Sequence, residues 1–327
     1  MQRYSVDGMH ALAVSDLHGN HLLYELLLRI ADTWRISSLF IAGDLTPGDD
    51  FRASEKDSVS DLVARQMTFI QRDFVPLFES FFHRHRLTHV YVIQGNDDCR
   101  AVATLLREFD DATPNFHFVS HRIVDLKDSR QMHSFFPNEV PLLQVTGYPF
   151  VPPGAGLLMD WVKYENRTKL QPPGTDPCAD IFEMGIKTAD GAGEGTIAED
   201  LQDYVGWLGE AAPQIEYAPE RTIHMFHSPP YNTPLDWVPP RGTYEHLRLP
   251  NHIGSTEIRR FIERVQPYLV LSGHCHEAVV LGDYRTVLGE TVCVNPGSQS
   301  HLDVLSLVQF DVYDPQQKMK QFFINAR

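Results

Sequence analysis

Four short segments that set aspartate, histidine or asparagine beside glycine, and one single histidine, are placed as metal ligation would require. They are Asp16-Leu17-His18-Gly19-Asn20, Gly43-Asp44, Gly95-Asn96-Asp97-Asp98, His227 and Gly273-His274-Cys275-His276. Imidazole nitrogens and carboxylate oxygens suit Mn, Fe, Zn and similar ions, and no thiolate is needed. Side chains alternate along an extended chain, so Asp16 and His18 are expected on one face with Leu17 opposite. His274 and His276 are likewise expected together, with Cys275 opposite. Divalent ions held by such a set are Lewis acids that polarise oxygens and activate water. Each fragment alone is ordinary, since Gly-Asp and Gly-Asn-Asp are common turns. The signal is all five in one chain, in this order.

The elements around them decide whether they can meet. His10–Ser15, Ser38–Ala42 and Thr88–Ile93 read as buried strands. Between the first two, Asn20 reads as a helix N-cap before Leu22, Leu23, Leu26, Leu27 and Ile30 at helical spacing. A longer helix is expected around Val59–Phe82. This β-α-β-α-β order predicts a largely parallel sheet covered by helices. Later, Thr222–Phe226, Tyr268–Ser272 and Thr291–Val294 read as strands, Ser255–Val265 as a helix, and Val304–Val312 as one or two closing strands. Every polar segment follows one of these strands, and ligands in open α/β sheets bind beyond the carboxyl ends of strands. Five strand ends would therefore share one rim.

The chain has 327 residues and a formal charge of −15, from 28 basic and 43 acidic side chains. Hydrophobic content of 43% and charged content of 22% are those of a globular protein, which excludes disordered and fibrous classes. The acidic balance argues against nucleic acid or an anionic membrane as partner, because both need a cationic surface. A small anionic substrate is compatible if positive charge is supplied locally. Sixteen histidines is a high count and points the search toward metal sites. No run of 18 apolar residues is present and no secretory signal is readable, so no membrane association is expected. Cys99, Cys178, Cys275 and Cys293 form no CxxC pair, which fits a reduced, cytoplasmic protein. Sixteen of 22 prolines fall between Pro137 and Pro250, with glycine-rich runs at 154–156 and 191–195. Residues 1–327 are therefore read as a single domain with an irregular Pro/Gly-rich insertion at roughly 120–220, containing one helix, Ile197–Leu208.

The blocks Asp16-x-His18, Gly43-Asp44, Gly95-Asn96-Asp97, His227 and Gly273-His274-x-His276 resemble those of the calcineurin-like metallophosphoesterase superfamily. The resemblance implies a four-layer αββα sandwich: two mixed sheets face to face, helices on the outer faces, and a dinuclear metal site at the carboxyl ends of strands. It implies a first ion held by Asp16, His18 and His276, a second held by Asn96, His227 and His274, and Asp44 bridging both. Two divalent ions are implied, Mn²⁺ or an Fe/Zn-type pair. Such ions about 3.5–4 Å apart share a hydroxide that attacks phosphorus directly, with no covalent enzyme intermediate. The activity implied is phosphoester hydrolysis, as a phosphodiesterase. A phosphomonoesterase or nucleotidase on the same site is the alternative. A non-catalytic scaffold with a vestigial site is the alternative from another class, and retention of all seven ligands argues against it. The expected partner is a small phosphoester substrate.

Asn96, Asp97 and His227 are the candidate catalytic residues. Many family members have histidine after the asparagine, where this chain has Asp97. An aspartic acid with an ordinary pKa of about 3.9 is a poor acid at neutral pH unless its surroundings raise it. Of the remaining positions, Asn20 is expected to cap its helix, Cys275 to be a buried thiol, and Asn295-Pro296-Gly297-Ser298 to be a structural turn. Arg100 suits either a substrate oxygen or a salt bridge. Tyr148, Phe150, Trp161, Tyr231 and Trp237 suit base stacking or, more readily, packing.

Overall fold

The structure is a computed structural model that describes residues 9–48, 59–127, 142–153, 158–167, 188, 194–238, 252–277 and 283–327. Its first half alternates strands and helices, as the apolar runs predict. β1 (Ala11–Val14), β2 (Ser38–Ala42) and β3 (His89–Ile93) flank α1 (His21–Thr33) and the long helix of α2 (Val59–Phe69) and α3 (Val75–Arg84). Asn20 caps α1 by accepting from the Leu23 amide. A π-turn, Ile70–Phe74, joins α2 to α3. Pro76 explains it, because proline can neither donate to nor sit beside the carbonyl one turn back. The extra residue moves the buried stripe from Leu62, Gln66, Phe69 and Ile70 onto Phe74, Phe78 and Phe81.

α4 (Val102–Ala112) and β4 (Phe116–Phe118) complete this half. Strands β1 to β4 pair in parallel. β11 (Val304–Phe310) adds to β1 antiparallel, and β12 (Met319–Asn325) adds to β11. The first sheet therefore runs β12-β11-β1-β2-β3-β4. The second runs β5-β6-β7-β8-β10-β9, from β5 (Ile123–Asp125), β6 (Gln144–Tyr148), β7 (Thr222–Phe226), β8 (Leu269–Leu271), β9 (Arg285–Leu288) and β10 (Thr291–Val294). β6, β7, β8 and β10 are parallel and the edge strands β5 and β9 antiparallel, so both sheets are mixed.

Strand alternation sorts the core into layers. Ala11, Ala13, Phe40, Ala42, Tyr91 and Ile93 of the first sheet pack on Val145, Ile223, Met225, Leu269, Leu271, Val292 and Val294 of the second. Leu12, Val14, Leu39, Ile41, Val90 and Val92 face outward onto α1 to α4. On the far side, Tyr148, Phe226, Val270 and Cys293 pack on α5 (Ile197–Ala211) and α6 (Thr256–Val265). The result is the expected four-layer αββα sandwich.

Two expectations change. The chain does not close at Val312: β12 lies beyond it and forms the sheet edge. The stretch read as irregular supplies β5 and β6 to the second sheet, besides α5. Those strands are three and five residues long and sit among prolines, so no periodicity marks them. Residues 154–156 and 191–193 of the glycine runs, and Cys178, lie outside the described residues. Among the described residues no helix is long and apolar enough to cross a membrane.

Candidate metal centre

The carboxyl ends of β1, β2, β3, β7 and β8 meet at one end of the sandwich. Asp16, His18, Asp44 and His276 bring their ligand atoms within 4.8 Å of one another. His18 Nε2 lies 3.2 Å from His276 Nε2, and His276 Nε2 lies 3.4 Å from Asp16 Oδ1. The remaining three expected ligands form a second group against the same Asp44. His227 Nε2 is 3.3 Å from Asp44 Oδ2 and 3.0 Å from Asn96 Oδ1, and His274 Nδ1 is 2.7 Å from Asn96 Oδ1. The structure thus brings all seven residues together, in two sets that share Asp44.

Their common orientation comes from turns, not from strand alternation. Asp16, His18, Asp44 and His274 all have left-handed backbones, with φ of 54°, 47°, 50° and 65°. Non-glycine residues adopt this region rarely and at a cost, and such residues collect at functional sites. The glycines keep the space open. A Cβ on Gly95 would stand 2.5 Å from His227 Nε2, and one on Gly43 (φ 97°) would stand 2.9 Å from His227 Cγ.

Most of the candidate ligands are held from behind. The Nδ1–H of His227 donates to Ala42 O at 2.7 Å, which fixes the tautomer and leaves Nε2 as the inward lone pair when the ring is neutral. The Asp97 amide donates to Asp44 Oδ1 at 2.8 Å, and the His274 amide donates to both oxygens of Asp16 at 3.0 and 3.2 Å. Asn96 Nδ2 donates to Asp97 Oδ1, so Asn96 Oδ1 is the atom that faces the two imidazoles. Asn295 donates to the carbonyls of Gly273 and Cys275, which flank His274, and so acts as the structural turn residue expected. Ser298 Oγ reaches Asp16 O at 2.7 Å.

The electrostatics follow from crowding. Burial alone would raise Asp16, but the hydrogen bond and charge of His276, with His227 and His18, hold it well below the carboxylate range. Asp44 is lowered in the same way: burial opposes, and the charge and hydrogen bond of His227 prevail. Burial would lower His227 and His276, yet Asp44 pushes His227 up to about 10 and Asp16 pushes His276 up to about 9. Burial and the neighbouring His227 charge lower His274 to about 4. A neutral His227 would set its lone pair against Asn96 Oδ1 and Asp44 Oδ2, two acceptors with no donor between them. Either a proton on His227 or a cation satisfies such a cradle, and its nitrogen and oxygen donors fit a divalent transition ion.

Asp97 stands at the mouth. Its side chain is 32% exposed, and Oδ2 lies 3.7 Å from His18 Nδ1. Burial, then the charge of Asp44, raises its carboxyl to about 6. Asp98 is different: fully buried, it accepts from the amides of Leu45, Thr46 and Gly95 and from Thr46 Oγ1 at 2.6–3.1 Å. It staples the loop after β2 to the loop after β3. Gln66 of α2 bonds both loops as well. Neither role is readable from the motif, because the partners lie 19 to 53 residues away except for Gly95.

The other candidates have settled positions. Asn20 caps α1, and its Nδ2 donates to Ser300 O and Asp303 Oδ1. The Arg100 guanidinium lies over the Trp161 ring, 5.6 Å from its centroid. Tyr148, Phe150 and Trp161 are buried in the outer core of the second sheet, while Tyr231 and Trp237 stay partly exposed. Cys275 is buried, with Sγ 3.3 Å from Trp237 O.

The sequence matches the family model of the calcineurin-like phosphoesterases over residues 9–278. The fold is similar to TT1561 of Thermus thermophilus, with a TM-score of 0.54 and 16% identity over 98% of this chain and 99% of that one. A second solved structure gives 0.55 and 15% over 95% and 97%. A looser likeness, at 0.43 and 10% over 97% and 84%, is to GAP50, described as the anchor in the inner membrane complex of Plasmodium. At these identities the likeness is one of fold alone. No curated protein matches the sequence.

Proposed function

The chain belongs to the calcineurin-like phosphoesterase family, a match spanning most of its length, and from that premise we propose that it is a phosphodiesterase with a two-ion centre. Family and candidate site support a metal-dependent phosphoesterase. The observation that favours two ions is the division of seven ligand residues into two sets around Asp44. Asp16, His18 and His276 would hold one ion, Asn96, His227 and His274 the other, with Asp44 common to both. Mn²⁺ suits this nitrogen and oxygen set, as would an Fe/Zn-type pair. When bound, such ions supply Lewis acidity toward phosphoryl oxygens and lower the pKa of water enough for attack at neutral pH.

The chain's own residues do the rest. Ala42 O orients His227, the Asp97 amide orients Asp44, and the His274 amide orients Asp16. Asp97 is the carboxyl placed to meet a leaving oxygen. Burial and the Asp44 charge raise its pKa above an ordinary aspartate, the direction a proton donor needs. A carboxyl is still a weaker proton donor at neutral pH than the histidine many family members carry there, so leaving groups that need no proton are favoured. No nucleophilic side chain is required, and hydrolysis proceeds by direct attack of water on phosphorus. A phosphomonoesterase shares every one of these features, and substrate choice separates the two.

The test is a phosphoester panel with Mn²⁺: p-nitrophenyl phosphate, its bis ester, cyclic nucleotides and nucleoside monophosphates. The diester is expected to turn over fastest, and His274→Ala to abolish activity. A His274→Ala variant with wild-type rates would refute the site, and faster monoester turnover would refute the diester preference. A purified chain that takes up no metal and hydrolyses nothing would point to a scaffold.

A further inference from the structure

We infer that Gln66 is a positioning residue that locks the loops after β2 and β3 together and so aims Asp44, Asn96 and Asp97 at the centre. Its consequence for the metal ions rests on the function proposed above; its geometry does not. Gln66 sits on the buried stripe of α2, between Leu62 and Phe69, and is itself fully buried. An apolar side chain would satisfy that stripe, and a buried amide costs free energy unless it is bonded.

Among the described residues, every bond its side chain makes goes to the two loops. Oε1 accepts from the Cys99 amide at 2.7 Å, while Nε2 donates to Asp97 O at 2.7 Å and to Pro47 O at 3.0 Å. One acceptor and two donors meet one amide and two carbonyls, so both N–H donors are used and the oxygen is satisfied. Glutamate lacks the donors and methionine lacks both kinds of group. Beside it, Arg65 donates to Gly48 O at 2.8 Å. That turn borders the mouth: a Cβ on Gly48 would lie 3.6 Å from Asp97 Oδ2 and 3.7 Å from His18 Nδ1. Asp98 staples the roots of the two loops, and Gln66 ties their outer parts to α2. Without that tie the Asp97–Asp98 peptide keeps only its amide bond to Gly95 O, and the segment that carries the Asn96 oxygen facing His227 and His274 is held less firmly.

Gln66→Met and Gln66→Glu keep the shape and remove the donors. Three readouts decide the matter: hydrogen exchange on the metal-free protein, Mn²⁺ titration by calorimetry, and steady-state kinetics on bis(p-nitrophenyl) phosphate. In both variants, amides of residues 44–48 and 95–99 are expected to exchange about tenfold faster while those of β1 to β3 keep their protection. Mn²⁺ affinity and kcat are expected to fall by about 10- to 100-fold, as for other groups that orient metal ligands. KM is expected to stay within about twofold, because substrate contacts are untouched. Wild-type exchange in the two loops would overturn the inference, as would unchanged Mn²⁺ affinity accompanied by simple loss of stability. If the wild-type chain takes up no metal, the phosphoesterase reading fails, and the exchange arm still decides whether Gln66 holds the loops.

Discussion

Adding one methyl group at residue 95 tests whether the open space at the centre is functional. A Cβ on Gly95 would stand 2.5 Å from His227 Nε2 and 2.6 Å from the Asp44 amide nitrogen, and closer still to Asp44 Oδ1. Neither neighbour can yield cheaply, since His227 is pinned to Ala42 O and Asp44 to the Asp97 amide. Overpacking of this kind costs about 1–3 kcal/mol. Gly95 has no positive φ, so alanine also removes unfolded-state freedom and returns about 0.4–1 kcal/mol. The net cost of Gly95→Ala is about 1–2 kcal/mol, small enough to leave a folded protein of this size. The functional cost is larger, because a shift of about 1 Å in a reacting group can lower kcat/KM about a hundredfold. Urea unfolding, Mn²⁺ calorimetry and kinetics on bis(p-nitrophenyl) phosphate measure the two costs separately. Gly206→Ala is the control: it lies on α5 with nothing within 4 Å of its added Cβ. That change should stabilise by about 1 kcal/mol and leave activity alone. A folded Gly95→Ala variant with Mn²⁺ affinity and kcat/KM within about twofold of wild type would refute the reasoning, since such a rate ratio is worth under about 0.5 kcal/mol.

Metal addition should raise the thermal midpoint, by about 2.7 kcal/mol of stability at a hundredfold excess over Kd, and chelation should reverse it. Because the facing acceptors at His227, Asn96 and Asp44 need protons when no cation is there, calorimetry in buffers of different ionisation heat should show protons released on Mn²⁺ uptake; uptake without release would contradict that account. If Asp97 limits protonation of the leaving group, p-nitrophenyl esters turn over readily and alkyl esters far more slowly, whereas equal turnover, undiminished by Asp97→Asn, would sink the idea. Burial lowers His224 to about 3, below the unfolded value of about 6.5. The unfolded chain therefore binds this proton first, and stability is lost from about pH 6.5 down to about pH 3 at up to about 1.4 kcal/mol per unit. His224→Phe should flatten that limb in acid-titrated urea melts, and an unchanged limb would assign the acid loss to other groups.

Sequence alone determined the strands that carry the centre and the residues at their ends. β2, β7 and β10 fall where the apolar runs place them, because a buried strand in a parallel sheet is a short apolar run that stops where the chain turns. The seven candidate residues that meet there were legible for the same reason: each closely follows such a run. Elements with weak local signals were not legible. β4 and β5 have three residues each, and β12 is half exposed. The facing sheets, the shared rim and the place of Asp44 between two sets are expected from the strand pattern and the family resemblance, and the tertiary structure supplies their geometry. Tertiary structure alone decided that Asp16, His18, Asp44 and His274 turn inward through left-handed backbones, where alternation along a strand had suggested the common face. Asp97 and Asp98 are identical neighbours in sequence, yet one lies at the mouth and the other accepts hydrogen bonds from three amides and a hydroxyl in the interior. Gln66 acquires its role only when α2 docks on loops 19 to 33 residues away. Local periodicity records which face of an element is apolar. It carries no record of which polar group will be met across such a distance, because that is settled when the layers pack.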